Sequence, residues 1–435
     1  MKPTTQMKTI LALCSVILGL FGCNSDKKLA AVIEQLHSQN DSLRIGALES
    51  LEKYNLSLNQ QVMLLGKARD AYPKAKYDWE SIPGKIVQIA TKNPDVSLVN
   101  IIKVHFKDYD TIAKNASLRF LANFDNPSSI QTFKELILQY PSDISFLTMG
   151  ILNKNFTYKN ILFPDLLQVV DNSTIDSDIL LLFLTYINNK QLESKDFSKY
   201  GDKLVVLSKK YRSIIEARLA LHIDVWEDGE YQNARFKAGI IEDILGHFTN
   251  EGIVPELSSY LKIQDNRLKM YAAISLIRLG QNLDSKTLEE IAADPEPRNW
   301  LFDNLQELNK ANLFPSTYQT QEAFAESDMI NWLLYPAELG RMPDAIELMK
   351  VVKVPSDTDD GMVEFYLFRF RSNHKNWIDL GWIAGVSGYY PVKNKPTTSS
   401  HGYTFSSFEK WDAKTPDQHV KDIRNLLQES YNRQK

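Results

Sequence analysis

Seven histidines, at 37, 105, 222, 247, 374, 401 and 419, are the side chains best suited to proton transfer or metal ligation in this 435-residue chain. No two stand at a spacing that would set paired imidazoles on one helix face, so no local zinc motif is legible. Asp357, Asp359 and Asp360 crowd one segment as the acids of a calcium loop do. The fifth position of such a loop would fall on Gly361, which offers no side-chain oxygen, and a solvated turn is the plainer reading. Ser407 and Lys410 have the Ser-x-x-Lys spacing that sets an amine beside a nucleophilic hydroxyl. The companion motifs are missing, because Lys414-Thr415 runs into Pro416. Phosphate loops, dinucleotide fingerprints and G-x-S-x-G elbows are absent too. The sequence thus offers no catalytic residue, no metal ligand set and no cofactor motif.

One constellation suggests binding instead. Arg369 and Arg371 lie near Trp377, Trp382, Tyr389, Tyr390 and Trp411, in an unusually aromatic carboxyl-terminal stretch. Arginines beside aromatic rings can make a surface for a glycan, a peptide or another subunit. The competing reading is that the rings fill a small core and a neighbour such as Asp379 answers the arginines.

The elements that must position these residues change character along the chain. From 345 to 435 apolar residues alternate with a period of two, which predicts a small antiparallel β-rich module. Strands are expected at Ala345–Val354, Met362–Arg371, Trp377–Tyr390 and Tyr403–Phe408, the first two joined through a turn at Asp360-Gly361. In the second strand Tyr366, Phe368 and Phe370 share one face, and Phe365, Leu367, Arg369 and Arg371 the other. Gly381, Gly385 and Gly388 mark bulges or close backbone approach in the third. A closing amphipathic helix at Gln418–Tyr431, begun by Thr415-Pro416, should cover one face. Residues 313–344 read as a helical connector, with a helix at Gln319–Tyr335.

Residues 29–312 read as helices with apolar residues every three or four positions. Turn signals such as Asn126-Pro127, Asp228-Gly229 and Asp294-Pro295 interrupt them. The clearest helix is Asp265–Gly280, with Asp265 as cap, Gly280 as left-handed terminator and Leu268, Ala272, Leu276 and Leu279 on one face. This segment resembles the second helix of a HEAT repeat. Asp41–Tyr54 aligns with it, placing Leu43, Arg44, Ala47 and Leu51 on Leu268, Lys269, Ala272 and Leu276. Asp110–Phe124 and Asn233–Gly246 follow more loosely. The resemblance implies an α-solenoid, in which each helix pair buries its apolar face only against its neighbours. The expected fold is therefore mostly α, a HEAT-like solenoid followed by a small antiparallel sheet and a closing helix.

At the other end, Lys2 and Lys8 precede an apolar run from Ile10 to Phe21, too short to span a bilayer. Leu20-Phe21-Gly22-Cys23 resembles the lipobox of bacterial lipoproteins, although Phe21 stands where a small or β-branched residue is usual. The resemblance implies that residues 1–22 are a signal peptide cleaved between Gly22 and Cys23. Cys23 would then carry the acyl chains, and 23–28 would form a short lipidated tether. Cys14 and Cys23 are the only cysteines, so nothing beyond residue 23 can form a disulfide. Two or three acyl chains hold a protein firmly where one does not. Asn24 points to the outer membrane, facing the periplasm or the cell surface.

Losing residues 1–22 removes two lysines and no acid, making a formal charge of −4 two units more negative. An acidic chain with mixed charges does not suit nucleic acid as a partner. The favoured expectation is a lipid-anchored, non-catalytic binding or scaffold protein of the bacterial envelope, with an envelope protein or glycan as partner. The second is an enzyme or capture protein for an envelope polymer, its site at the seam between solenoid and sheet. A seam packed shut with apolar side chains would count against the second.

Overall fold

The computed structural model describes residues 27–74, 81–144, 150–171, 174–192, 200–356, 361–398, 404–423 and 425. The leader, Gly22 and Cys23, the acids at 357, 359 and 360, His401 and Tyr403 lie outside them. The chain is mostly helical and ends in a small antiparallel sheet and a closing helix, the fold class the sequence implies. It divides into two compact units, Met1–Glu193 and Ser194–Lys435.

In the first unit lie α1 (27–35), α2 (Asp41–Glu52), α3 (Leu58–Lys67), α4 (Ile82–Ala90), α5 (Val96–His105), α6 (Thr111–Asn123), α7 (Pro127–Gln139), α8 (Lys159–Leu162) and α9 (Asp176–Asn188). Short polar side chains start most of them: Asn40, Ser57, Ser81, Asp95, Asp110 and Asn126 each accept a first-turn N–H. α3 packs on α4 and α5, α4 on α6, and α5 on α7, the next-and-next-but-one pattern of a helical array. Lys114 reaches Asp143 at 2.7 Å and Lys134 reaches Asp165 at 2.7 Å, separations of 29 and 31 residues along the chain.

The second unit continues the same construction with α10 (Gly201–Ala220), α11 (Gly229–Leu245), α12 (Ile253–Tyr260), α13 (Asn266–Arg278), α14 (Ser285–Ala293), α15 (Pro295–Glu307) and α16 (Gln321–Leu333). Asp265 caps α13 by accepting from the Arg267 and Leu268 N–H groups. Gly280 follows its end at φ +78°, in the left-handed region the sequence assigns to it. Met270, Ile274 and Ile277 of α13, Leu288 and Ile291 of α14, Leu301, Phe302 and Leu305 of α15 and Phe324 of α16 form one core. Fully burying each such side chain contributes about 1.5–3 kcal/mol.

Two details of the HEAT-like alignment do not hold. Leu43, set on the fully buried Leu268, is 50% exposed, although Ala47 and Leu51 are buried as expected. Asn233 does not begin a helix; Asp228 caps α11 five residues earlier by accepting from Tyr231 N–H, and Gly229 enters the first turn.

β1 (Ala345–Pro355), β2 (Met362–Arg371), β3 (Ile383–Pro391) and β4 (Phe405–Lys410) form an antiparallel meander in sequence order. The expected strand from Trp377 is cut short. Trp377 leads into a 3-10 turn at Ile378–Leu380, and Gly381 at φ +64° turns the chain before β3 begins. The sheet also carries helices on both faces, not one. Ala325, Met329 and Leu333 of α16 pack on Tyr366, Phe368, Phe370, Ile383 and Tyr390. On the other face Val352, Leu367, Ala384 and Trp411 pack on Val420 of α17 (416–423), whose Thr415 and Gln418 form a reciprocal cap. β2 and β3 are consequently buried on both sides, which explains their near-continuous apolar sequence.

α16 is thus a shared layer and not a connector. Phe324 belongs to the helical core while Ala325, Met329 and Leu333 belong to the sheet core. This is why the sheet shares a compact unit with the helices from 201 onward, and why the unit boundary falls at 193/194 and not near 312.

Candidate functional site

Period-two alternation sends the seven predicted surface residues to different places. Tyr390 is fully buried against α16, donating to Asp328 Oδ2 at 2.5 Å and bonding Ser387 Oγ at 2.7 Å. Asn299 Nδ2 donates to the other Asp328 oxygen at 2.8 Å. Burial, then the Asp328 charge, pushes the Tyr390 hydroxyl well above its usual range. Tyr389 points the other way, 8% exposed, beside Phe365 and Val386. Trp411 is 6% exposed, with its ring stacked 4.9 Å from His419. Trp377 packs at the edge of the α16-facing core. Tyr390, Tyr389 and Trp411 are core residues, buried because both faces of the sheet are covered, and Trp377 is half-buried at the rim.

The remaining three come together on the α17-facing side, where Trp382 packs against the rim of that core. Trp382 extends β3 next to Ile383, which places it across from Arg371, because Ile383 pairs with Phe370. The guanidinium carbons of Arg369 and Arg371 lie 4.5 and 5.0 Å from the Trp382 ring centroid. Arg369 also donates its Nε to Glu347 Oε2 at 2.9 Å and its Nη2 to the same oxygen at 2.5 Å. Glu347 on β1 is its cross-strand neighbour, so Asp379 is not the partner the sequence suggested. Arg371 is exposed, Trp382 half-buried.

A second polar group joins two loops. Among the described residues, Asp224, Glu227 and His374 are the one His/Asp/Glu set with ligand atoms within 4.8 Å of one another. His374 Nε2 lies 2.6 Å from Glu227 Oε1, Arg341 Nη1 2.8 Å from Asp224 Oδ2, and Lys375 Nζ 3.9 Å from Glu227. Trp226 N–H donates to the other Asp224 oxygen at 3.1 Å. His374 Nδ1 faces the Asn376 N–H at 3.5 Å, an arrangement that suits a tautomer with the proton on Nε2, toward Glu227. A metal would need that nitrogen bare and would sit beside two cations. The geometry fits an ion-pair clasp.

Side chains of the helices and the sheet meet directly across their seam. Met329 fills the space over Gly385, Gln321 exchanges hydrogen bonds with the Thr397 backbone, and Thr398 donates to Asp303 at 2.7 Å.

Motif reading passed over a buried charge chain. Arg235 of α11 donates to Asp265 at 2.6 and 3.2 Å and to Glu296 at 3.0 and 2.7 Å, while Tyr231 donates to Asp265 at 2.5 Å. Burial opposes the Arg235 charge, but the two carboxylates hold its pKa well above the usual value. Burial likewise opposes the Asp265 carboxylate, and the Arg235 charge and hydrogen bonds override it, leaving its pKa low. The signal was available as charges one repeat apart: Arg235 to Asp265 spans 30 residues, as Lys114 to Asp143 spans 29.

No protein-family model, no curated protein and no solved structure matches the chain.

Proposed function

We propose that this chain is a lipid-anchored, non-catalytic binding or scaffold protein of the bacterial envelope. On this reading Cys23 carries the acyl chains, the helical arrays form the body, and the sheet's uncovered end meets the partner, an envelope protein or glycan. The observation that carries it is the Arg369–Trp382–Arg371 stack, whose Arg371 is exposed. Trp382 packs against the rim of the α17-facing core, and the two guanidinium groups lie 4.5 and 5.0 Å from its ring centroid, with Arg371 exposed. Ordered cation–aromatic groups lose little side-chain entropy on contact, which suits them to recognition. The lipobox-like Leu20-Phe21-Gly22-Cys23 supports the anchor, and Asn24, by analogy with lipoprotein sorting, supports the outer-membrane placement. Among the described residues no helix is long and apolar enough to cross a membrane.

Growth with a labelled fatty acid tests the anchor: the wild type should incorporate label and fractionate with membranes, and Cys23→Ser should do neither. Label-free wild type in the soluble fraction would end the lipoprotein reading. Affinity capture from detergent-solubilised envelope tests the second half. A reproducible partner lost on Trp382→Ala is the expected result, and no reproducible partner the contrary one.

A further inference from the structure

Two neighbouring rows of the sheet differ in what faces their arginine on β1. In the inner row Glu347 on β1 faces Arg369 on β2, and the carboxylate occupies the guanidinium. In the outer row the residue facing Arg371 is Ala345. Directly opposed residues of an antiparallel pair point to the same face, with Cβ atoms about 5 Å apart. The seat that Glu347 fills beside Arg369 is therefore left open beside Arg371. Among the described residues no carboxylate lies within ion-pairing distance of Arg371; its contact is with the Trp382 ring. Its fork of N–H donors is exposed, on an arginine the indole already orders.

From this we infer that the Ala345–Arg371–Trp382 row is a receptor for a carboxylate supplied by a partner polypeptide, an Asp or Glu side chain or a chain terminus. The inference rests on the binding-protein reading above and names the chemistry of its partner. The pair at Arg369 shows the contact expected, one carboxylate oxygen accepting from Nε and Nη2. Arginine donors on a carboxylate are charge-assisted and directional, and stacking on tryptophan lowers the entropy lost when the pair forms. A phosphate would also suit a lone guanidinium. The seat, however, is sized by the Glu347 contact, and Trp382 offers an apolar flank to the methylene groups of an acidic side chain.

Two substitutions and one probe test it. The probe is a fluorescent glutamate-rich peptide, with its glutamine counterpart and inorganic phosphate as competitors. Wild type should bind the acidic peptide and prefer it over the glutamine peptide by about tenfold or more. Arg371→Gln should abolish that preference. Ala345→Glu should abolish it too, by filling the seat from within while Arg371 and Trp382 remain, and its thermal unfolding should match or exceed that of wild type. Equal binding of both peptides by wild type, or full binding by Ala345→Glu, overturns the inference. Competition by phosphate as strong as by the acidic peptide overturns the carboxylate assignment. Envelope capture separates this from the broader reading: a partner retained equally by wild type and Ala345→Glu refutes the seat and leaves the binding protein standing.

Discussion

Arg235 and Arg371 make an instructive pair. Arg235 is 8% exposed and saturated, held by two carboxylates and a flanking tryptophan inside the helical array. Arg371 ends β2, an interior strand, with a ring beneath it and its side chain exposed. The first joins one repeat to the next two, because Asp265 caps α13 and Glu296 lies in the first turn of α15. The second has no carboxylate partner among the described residues. Burial with full pairing marks a charge that serves the fold, and exposure with preorganisation marks one suited to a partner.

That contrast can be broken most forcefully at Arg235. Arg235→Ala leaves Asp265 and Glu296 buried without their cation and should cost about 3–5 kcal/mol of unfolding free energy. A loss below about 1 kcal/mol in denaturant titration would show that the chain of charges is incidental.

Within the sheet, Gly388→Ala should cost about 1–3 kcal/mol, because a Cβ there would lie 2.3 Å from Phe365 Cδ1. Phe365→Leu in the same chain should recover part of the loss. Equal destabilisation by the single and double variants would locate the problem elsewhere.

Glu242 sharpens the comparison from the helical side. It is fully buried, its side-chain oxygens make no well-formed hydrogen bond among the described residues, and burial followed by the Asp265 and Glu256 charges raises its pKa well above the usual value, against a weaker opposing pull from the Ala272 backbone N–H. A carboxyl raised in the folded state binds its proton more tightly there than when unfolded. Its contribution is complete below the ordinary carboxylate range and is lost as pH rises toward the folded value, by up to about 1.4 kcal/mol per pH unit. Glu242→Gln should remove that slope from a plot of unfolding free energy against pH. An unchanged slope would mean that Glu242 finds an unseen partner.

Much of the fold was legible because its signals are local. Asp110, Asn126, Asp265 and Asp294 cap where capping chemistry says they should, and β2 matches its expected bounds of Met362 and Arg371. What escaped depends on neighbours distant in sequence. The second helix-covered face of the sheet follows from α16, which read as a connector because its own pattern does not reveal that it serves two cores. Tyr389, Tyr390 and Trp411 looked available because composition cannot distinguish a ring in a core from one on a surface. The open seat at Arg371 was hidden for a related reason: it is defined by Ala345 being small, and that matters only once the strands are in register.

The smallest expected change in stability is also the most direct test. Arg371→Gln should unfold within about 0.5 kcal/mol of wild type while losing about tenfold or more of its affinity for the glutamate-rich peptide. A variant that unfolds markedly more easily yet binds the peptide as wild type does would show that Arg371 serves the fold, and would contradict the account.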